Sequence, residues 1–221
     1  MVAPFMLRRV KMDKQIIADL PDKLEMVDYA GLSKKQVVLY RKVVTDMEEK
    51  ILRSEGIERR GIILATIMKL KQICNHPDQY LGQQMFSSED SGKFTMLREL
   101  CETIYEKRER VFIFTQFREI TDYLAAFLWE IFHMDGYVLH GGTPVAKRGK
   151  IVEAFQGDDY VLFMVLSVKA GGSGLNLTKT NHVIHFGRWW NPVVENQTTD
   201  RAFRIGQTKN VIVHKLVCQR A

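Results

Sequence analysis

Beyond residue 91, short apolar segments alternate with longer helical patterns, and this alternation limits the possible folds more than any other feature of the chain. The apolar segments are too short and too rich in β-branched residues for helices, so they are predicted to be strands. The predicted strands cover residues 110–114, 136–140, 160–167, 182–186 and 211–217. The predicted helices lie near residues 92–107, 117–132, 145–155 and 192–204. This order predicts an α/β fold in which a parallel sheet is buried between helices on both faces.

A different pattern occupies residues 33–82, where two helices are predicted. Ser33 is a suitable N-cap for a helix over residues 33–52, and a second helix is predicted over residues 59–76, before Pro77. The first helix carries an apolar stripe, and its other faces are rich in lysine and arginine. We therefore expect a helical hairpin with a basic exterior, which is either an ordinary solvated surface or a contact surface for DNA.

The charge balance and the cysteines bound the class of protein. The chain carries 32 lysine and arginine residues against 26 acidic residues, and a net charge of +6 is what a polyanion-binding surface would show. Cys74, Cys101 and Cys218 are widely spaced and include no C-x-x-C pair, so we expect reduced thiols, no disulfide framework and no metal site. Because no apolar run reaches about 18 residues and no signal peptide is evident, a soluble cytoplasmic or nuclear protein is expected.

Ligands of parallel α/β sheets bind at the carboxyl ends of the strands, so the loops there are the candidate functional segments. The loop at residues 167–178 has three glycines in four positions, and its backbone N–H groups could form a nest for a phosphate, with Lys169 adding a charge. It does not match the Walker A pattern. A structural turn is the alternative interpretation.

Further loops at the same predicted edge carry polar groups. Residues 115–117 and 140–143 each follow a strand and offer hydroxyl, amide or backbone donors that suit phosphate oxygens. Two tryptophans precede the last helix, and we predict that Trp190 lies in the core whereas Trp189 lies against a DNA groove. Together these loops predict one connected surface for a polyanion.

The last predicted helix presents a stripe of polar and cationic side chains. Asn191 can cap this helix and Pro192 can occupy its first turn. At 3.6 residues per turn, Gln197, Arg201 and Arg204 fall on one face. A guanidinium binds phosphate oxygens bidentately and stabilises charge on a transferring phosphoryl group, so a phosphate site is predicted there. Solvated surface arginines are the alternative.

These motifs occur in a recognisable order. The sequences FTQF, LHGGT, LSVKAGGSGLNLT, RWWNP and DRAFRIGQ, preceded by PFMLRR, LPDK and KLKQICNHP, resemble the second RecA-like lobe of Swi/Snf-type DNA translocases in helicase superfamily two. The resemblance implies a RecA-like sheet with an N-terminal helical protrusion. It divides the chain into an interlobe linker and entry segment at 1–32, the protrusion at 33–90, and the lobe at 91–221, truncated at its C-terminus.

The resemblance also implies roles for individual residues. Arg201 and Arg204 correspond to the family's arginine fingers, which reach the γ-phosphate of ATP, and Gln197 and Asp200 correspond to residues that support them. The residues implied to contact the DNA backbone or groove are Thr115, Gln116, His140, Gly141, Lys169, Gly171, Gly172 and Trp189. The residues implied to shape the nucleotide site, with the two arginines, are Gly172, Gly174 and Asn176.

The expected function is that of the C-terminal motor lobe of an ATP-dependent double-stranded DNA translocase. ATP with Mg²⁺ would be bound mainly by the first lobe of the same polypeptide, so we expect no ATPase activity from this lobe alone. The expected partners are duplex DNA, that first lobe and a DNA-bound protein being remodelled, without a membrane. Gly187 departs from the family, which commonly has an aspartate there, so a charged contact at that position is not expected.

Two other functions remain open at this stage. One is a non-catalytic DNA-binding module, and the other is a strand-separating or RNA helicase lobe. The compact spacing of the motifs is typical of a prokaryotic protein, which would act in the cytoplasm at the nucleoid. A eukaryotic protein of this kind would be nuclear.

Overall fold

The structure is a computed structural model that describes residues 22–157, 160–168, 178–203, 207 and 209–219. Within these residues, six strands and seven α-helices follow one another along the chain. The strands are β1 (Lys23–Ala30), β2 (Val111–Thr115), β3 (Tyr137–Leu139), β4 (Phe163–Ser167), β5 (His182–His185) and β6 (Val211–Cys218). The helices are α1 (Lys34–Leu52), α2 (Gly56–Asn75), α3 (Pro77–Leu81), α4 (Gly92–Glu106), α5 (Thr121–Phe132), α6 (Val145–Gln156) and α7 (Pro192–Ala202).

All six strands belong to one parallel sheet in the order β1-β6-β5-β2-β4-β3. Every residue of β2, β4 and β5 is buried. One apolar cluster packs α4 and α5 against the sheet through residues such as Leu97 and Leu124, and a second cluster on the other face includes Phe155 of α6 and Ala202 of α7. The predicted α/β fold, a parallel sheet with helices on both faces, is confirmed.

The sequence analysis did not predict β1. Residues 23–30 were assigned to a linker, whereas the structure places them at the edge of the sheet, where all eight residues of β1 pair in parallel with β6. An edge strand is covered less than a central one, and Leu24 and Tyr29 are 56% and 58% exposed. The segment therefore lacks the continuous apolar run by which the central strands were recognised.

The two helices of the hairpin are confirmed. Ser33 caps α1 in a capping box with Gln36, and the buried Gln36 amide donates a hydrogen bond of 2.8 Å to the carbonyl of Ile73 in α2. Helix α2 begins at Gly56, three residues earlier than predicted, and ends at Asn75. Among the described residues, no helix has both the length and the apolar character needed to cross a membrane.

Candidate functional site

Loops from four neighbouring strands line one groove at the carboxyl edge of the sheet. We call it the loop groove; its volume is about 660 Å³. Gln116 follows β2, Gly141 follows β3, Ser167 ends β4 and Trp189 follows β5, while Met68 of α2 closes one side. The connected edge that the sequence predicted is therefore present in the folded chain.

The two polar residues of the loop after β2 have different environments: one is buried and the other lines the groove. Thr115 is fully buried, and its hydroxyl accepts a hydrogen bond of 3.3 Å from the backbone N–H of Phe117. This hydroxyl does not face the groove as expected for a DNA contact, because the side chain points into the loop that it stabilises. Gln116 instead lines the groove, and its Oε1 accepts from the Lys71 ammonium at 3.1 Å.

The loop after β3 is a tight turn closed by its own polar groups. The backbone N–H of His140 donates to the Thr143 hydroxyl at 3.1 Å, and the N–H of Gly142 donates to His140 Nδ1 at 3.0 Å. Because Nδ1 accepts this bond, Nε2 carries the proton of the neutral ring and can donate to a ligand. Gly141 is exposed at the groove beside this turn.

Two arginines that the sequence analysis did not select lie against the same turn. Arg148 in α6 donates to the carbonyls of Thr143 and Gly141 at 2.9 and 3.1 Å. Arg118 lines the groove, and a Cβ atom at Gly142 would come within 2.9 Å of its guanidinium carbon. Only glycine lets the guanidinium lie this close to the backbone. The position of Arg118 directly after the FTQF motif was a signal that could have identified it.

Helix α2 is joined to the groove through Lys71. Its ammonium donates to the Arg188 carbonyl at 3.0 Å, in addition to Gln116, and it lies 4.7 Å from the centroid of the Trp190 ring. Burial lowers the pKa of Lys71, and the nearby Lys93 lowers it further. The basic hairpin therefore contacts the loops of the candidate site through Lys71, which belongs to the KLKQICNHP motif.

The two tryptophans do not share one environment. Trp190 is 53% exposed, so the prediction that it lies in the core is wrong. Its ring covers Lys71 because the chain turns outward here, before Asn191 and α7. Trp189 is half-buried, packs against the second apolar cluster and lines the loop groove, which is the side on which the sequence analysis expected it.

A buried carboxylate fixes the loop that carries Trp189. Glu195 of α7 is 2% exposed, and its Oε2 accepts from Arg188 Nε at 2.9 Å and from the backbone N–H of Trp189 at 3.1 Å. The ammonium of Lys215 lies 3.8 Å from its other oxygen. Charge-assisted hydrogen bonds are stronger than neutral ones, so Glu195 anchors this loop to α7.

The start of α7 is as predicted, and its end is not. Asn191 Oδ1 accepts from the backbone N–H of Val193 at 2.9 Å, and Pro192 occupies the first turn. The helix ends at Ala202, two residues earlier than predicted, and because Arg204 lies outside the described residues, the stripe of Gln197, Arg201 and Arg204 stays a prediction. Gln197 and Asp200 lie in the last turns of α7 with the backbone of Arg201.

Several residues selected from the sequence lie outside the part of the chain that the structure describes. They are Lys169, Gly171, Gly172, Gly174, Asn176 and Arg204, together with the side chain of Arg201. Their predicted roles stay predictions. The adjoining residue Val168 is described, and its backbone N–H donates to the carbonyl of Thr115 at 3.0 Å, so the described chain after β4 lies beside the loop that follows β2.

Comparisons with known proteins agree with this architecture. The family described as helicase conserved C-terminal domain matches residues 92–206, and the SNF2-related domain matches residues 1–79. The SWI2/SNF2 ATPase core of Sulfolobus solfataricus in complex with dsDNA is 41% identical, with a TM-score of 0.81 over 98% of this chain and 45% of that chain. The SWI2/SNF2 ATPase C-terminal domain of the same organism is 38% identical, with a TM-score of 0.76 over 89% of this chain and 80% of that domain.

Similar sequences also occur in bacteria and animals. The human SWI/SNF-related matrix-associated actin-dependent regulator of chromatin subfamily A member 1 is 36% identical over 97% of this chain. This chain spans 21% of the length of that human protein. A relative from Bacillus subtilis is 41% identical to this chain, which spans 24% of its length. The motifs, the parallel sheet and these similarities lead to one assignment: the chain belongs to the helicase conserved C-terminal domain family, as a RecA-like lobe of the SWI2/SNF2 ATPases.

Proposed function

We propose that the chain is the second motor lobe of an ATP-dependent double-stranded DNA translocase, or of an ATPase that remodels nucleoprotein. The loop groove is the observation that carries this proposal. Donors from separate loops converge there in a chain that is 41% identical to an ATPase core bound to dsDNA. Phosphate contacts position a protein on a duplex without reading its sequence, as a translocase requires.

The groove supplies donors suited to a DNA backbone. His140 Nε2 and the Gln116 amide are the neutral donors, and Arg118, Arg148 and Lys71 supply positive charge around them. Trp189 supplies an apolar surface at the same place. Gly141, Lys169, Gly171 and Gly172 complete the proposed contacts, and the buried Thr115 supports them by shaping its loop.

The nucleotide side of the proposal rests on α7 and the segment after β4. Arg201 and Arg204 would act as arginine fingers on the γ-phosphate, with Gln197 and Asp200 supporting them. The residues proposed to shape the nucleotide site from this lobe are Gly172, Gly174 and Asn176. ATP and Mg²⁺ would be held mainly by the N-terminal RecA-like lobe of the same polypeptide, so this lobe alone would not hydrolyse ATP. Closure of the two lobes around ATP would move their DNA contacts relative to each other.

The decisive test is Arg204→Ala in the full-length protein. Arginine fingers contribute about 10³ to 10⁵ in rate, so duplex-stimulated ATP hydrolysis should fall by about three orders of magnitude while duplex binding is largely kept. Arg108→Ala is the matched control, because Arg108 is an exposed arginine that precedes β2, at the edge of the sheet opposite the loop groove. Near-normal hydrolysis by the Arg204 variant would refute its proposed role.

The same assay separates the other functions. Stimulation by duplex DNA above single strands and RNA would support a translocase. A preference for single strands or RNA would instead identify a strand-separating or RNA helicase, and DNA binding without hydrolysis would identify a non-catalytic module. The proposed place of action is the nucleoid of a prokaryotic cell or the nucleus of a eukaryotic one, on DNA that carries the protein to be remodelled.

A further inference from the structure

A second cavity lies between the helical hairpin and the sheet, and two cysteines line it. Its volume is about 350 Å³, and we call it the thiol cavity. Cys74 in the last turn of α2 and Cys218 at the end of β6 both face it, as do Lys71 and Lys93. The two cysteines are 144 residues apart in sequence, which is why their spacing gave no indication of a pair.

The Cys218 thiol lies against the backbone of Cys74. It donates to the carbonyl of Cys74 at 3.5 Å, within the cavity that both side chains line. Both residues are half-buried and line an open cavity, so small solutes can reach them. The third cysteine, Cys101, is fully buried in the apolar cluster under α4, and burial raises the pKa of its thiol. One pair is thus accessible and the remaining thiol is shielded.

A buried cation activates the pair. Lys93 is 5% exposed, and its ammonium donates to Asn75 Oδ1 at 3.1 Å and to the Phe186 carbonyl at 2.8 Å, neither of which carries a charge. Burial lowers the pKa of Lys93, and the two thiols oppose this effect because they favour its charged form. The neighbouring Cys74 and the charge of Lys93 hold the pKa of Cys218 below its usual value, although burial opposes them, and the neighbouring Cys218 raises the pKa of Cys74.

We propose that Cys74 and Cys218 are a redox modification site, which hydrogen peroxide converts into a reversible disulfide. The Cys218 thiolate attacks one peroxide oxygen, the O–O bond breaks, and the released hydroxide takes a proton to form water. Cys74 then attacks the resulting sulfenic sulfur, the S–O bond breaks, and a second water leaves with the proton of Cys74. The two thiols lose two electrons in total, which reduce one peroxide to two waters.

The disulfide would join the hairpin to the sheet beside the loop groove. Helix α2 carries Lys71, whose ammonium contacts both Gln116 and the Arg188 carbonyl one turn before Cys74. A covalent bond from α2 to the end of β6 therefore fixes the helix on which this contact to the groove depends. The inference rests on the thiol cavity alone and does not depend on the proposed function.

Peptide mapping of the folded protein tests the proposal directly. The protein is treated with graded hydrogen peroxide, free thiols are blocked by alkylation, and the digest is compared with and without dithiothreitol. We expect a linked peptide containing Cys74 and Cys218 that disappears on reduction, while Cys101 stays reduced and becomes alkylated only after unfolding. If Cys74 and Cys218 stay reduced at peroxide concentrations that oxidise Cys101, the proposal is overturned.

Two variants separate the roles of the residues. In Cys74→Ser, the sulfenic acid of Cys218 should persist and be trapped by dimedone; failure to trap it there would contradict the assignment of Cys218 as the attacking thiol. In Lys93→Met, which keeps an unbranched side chain but removes the ammonium, the thiolate fraction falls, so Cys218 should oxidise about threefold more slowly near pH 7. An unchanged rate in a folded Lys93 variant would exclude activation by this cation.

Discussion

Two loops that line the same groove are held in different ways. The loop after β5, at Arg188 and Trp189, is fastened by the buried carboxylate of Glu195. The turn after β3 at residues 140–143 is closed by its own polar groups and by Arg148, which donates to two of its carbonyls. The loop after β5 therefore depends on one buried side chain from α7, whereas the turn after β3 depends mainly on contacts within the turn itself.

Removing the Glu195 carboxylate should destabilise the loop after β5. Glu195→Ala removes the buried acceptor of the Arg188 guanidinium and of the Trp189 N–H, while Lys215 keeps its ion pair with Glu25 at 2.6 Å, and we expect a loss of about 2 kcal/mol in the free energy of unfolding. Urea denaturation of the chain measures this loss. Glu153→Ala is the control, because Glu153 is exposed on α6. A loss no larger than that of the control would show that Glu195 does not hold the loop.

Acid should also lower the stability of the protein, through a buried histidine that joins β5 to α7 beneath this loop. His185 at the end of β5 donates from Nε2 to the Thr199 hydroxyl at 2.8 Å, and burial lowers its pKa from 6.5 to about 4, an effect that Glu195 opposes. The folded state keeps this ring neutral, whereas the unfolded chain takes up a proton below pH 6.5, so stability present at pH 7 is lost as the pH falls towards 4. Between pH 7 and pH 5 the free energy of unfolding should decrease by about 2 kcal/mol.

Denaturation at both pH values checks this dependence, with His185→Gln as the comparison. The amide has no proton to gain in this range, so the variant should lose less stability between pH 7 and pH 5 than the parent protein. If both proteins lost the same stability between pH 7 and pH 5, groups other than His185 would cause the acid sensitivity. His76 and His182 are the other candidates, because burial lowers the pKa of each.

The contrast between the two loops also explains what the sequence could reveal. The central strands were predictable because they are buried on both sides and read as continuous apolar runs, and the carboxyl edge followed from their parallel order. The direction of each side chain was not predictable in the same way. Thr115 turns inward, where its hydroxyl accepts from the N–H of Phe117, and Trp190 turns outward to cover Lys71, which is distant in sequence.

The same reasoning accounts for the residues that were missed. Lys71 reaches Gln116 from a helix 45 residues away, and Cys74 meets Cys218 across 144 residues, so no local spacing contains either contact. The strand β1 was missed because it lies at the edge of the sheet, where side chains such as Leu24 and Tyr29 stay exposed. Local patterns predicted the elements, while long-range packing determined which polar groups face the groove.

Two adjacent glycines in the turn after β3 provide a test of the DNA contact proposed for Arg118. In Gly142→Ala the new methyl group would meet the Arg118 guanidinium at 2.9 Å and displace it, whereas the same methyl at Gly141 meets nothing within 4 Å. Because Arg118 is exposed and can move, both variants should keep their stability within about 0.5 kcal/mol. In the full-length protein, Gly142→Ala should bind duplex DNA more weakly and lower the salt slope of binding by about 1, as expected for one lost phosphate contact. Gly141→Ala is the matched control for the added methyl group, and equal binding by the two variants would exclude Arg118 from the DNA contact.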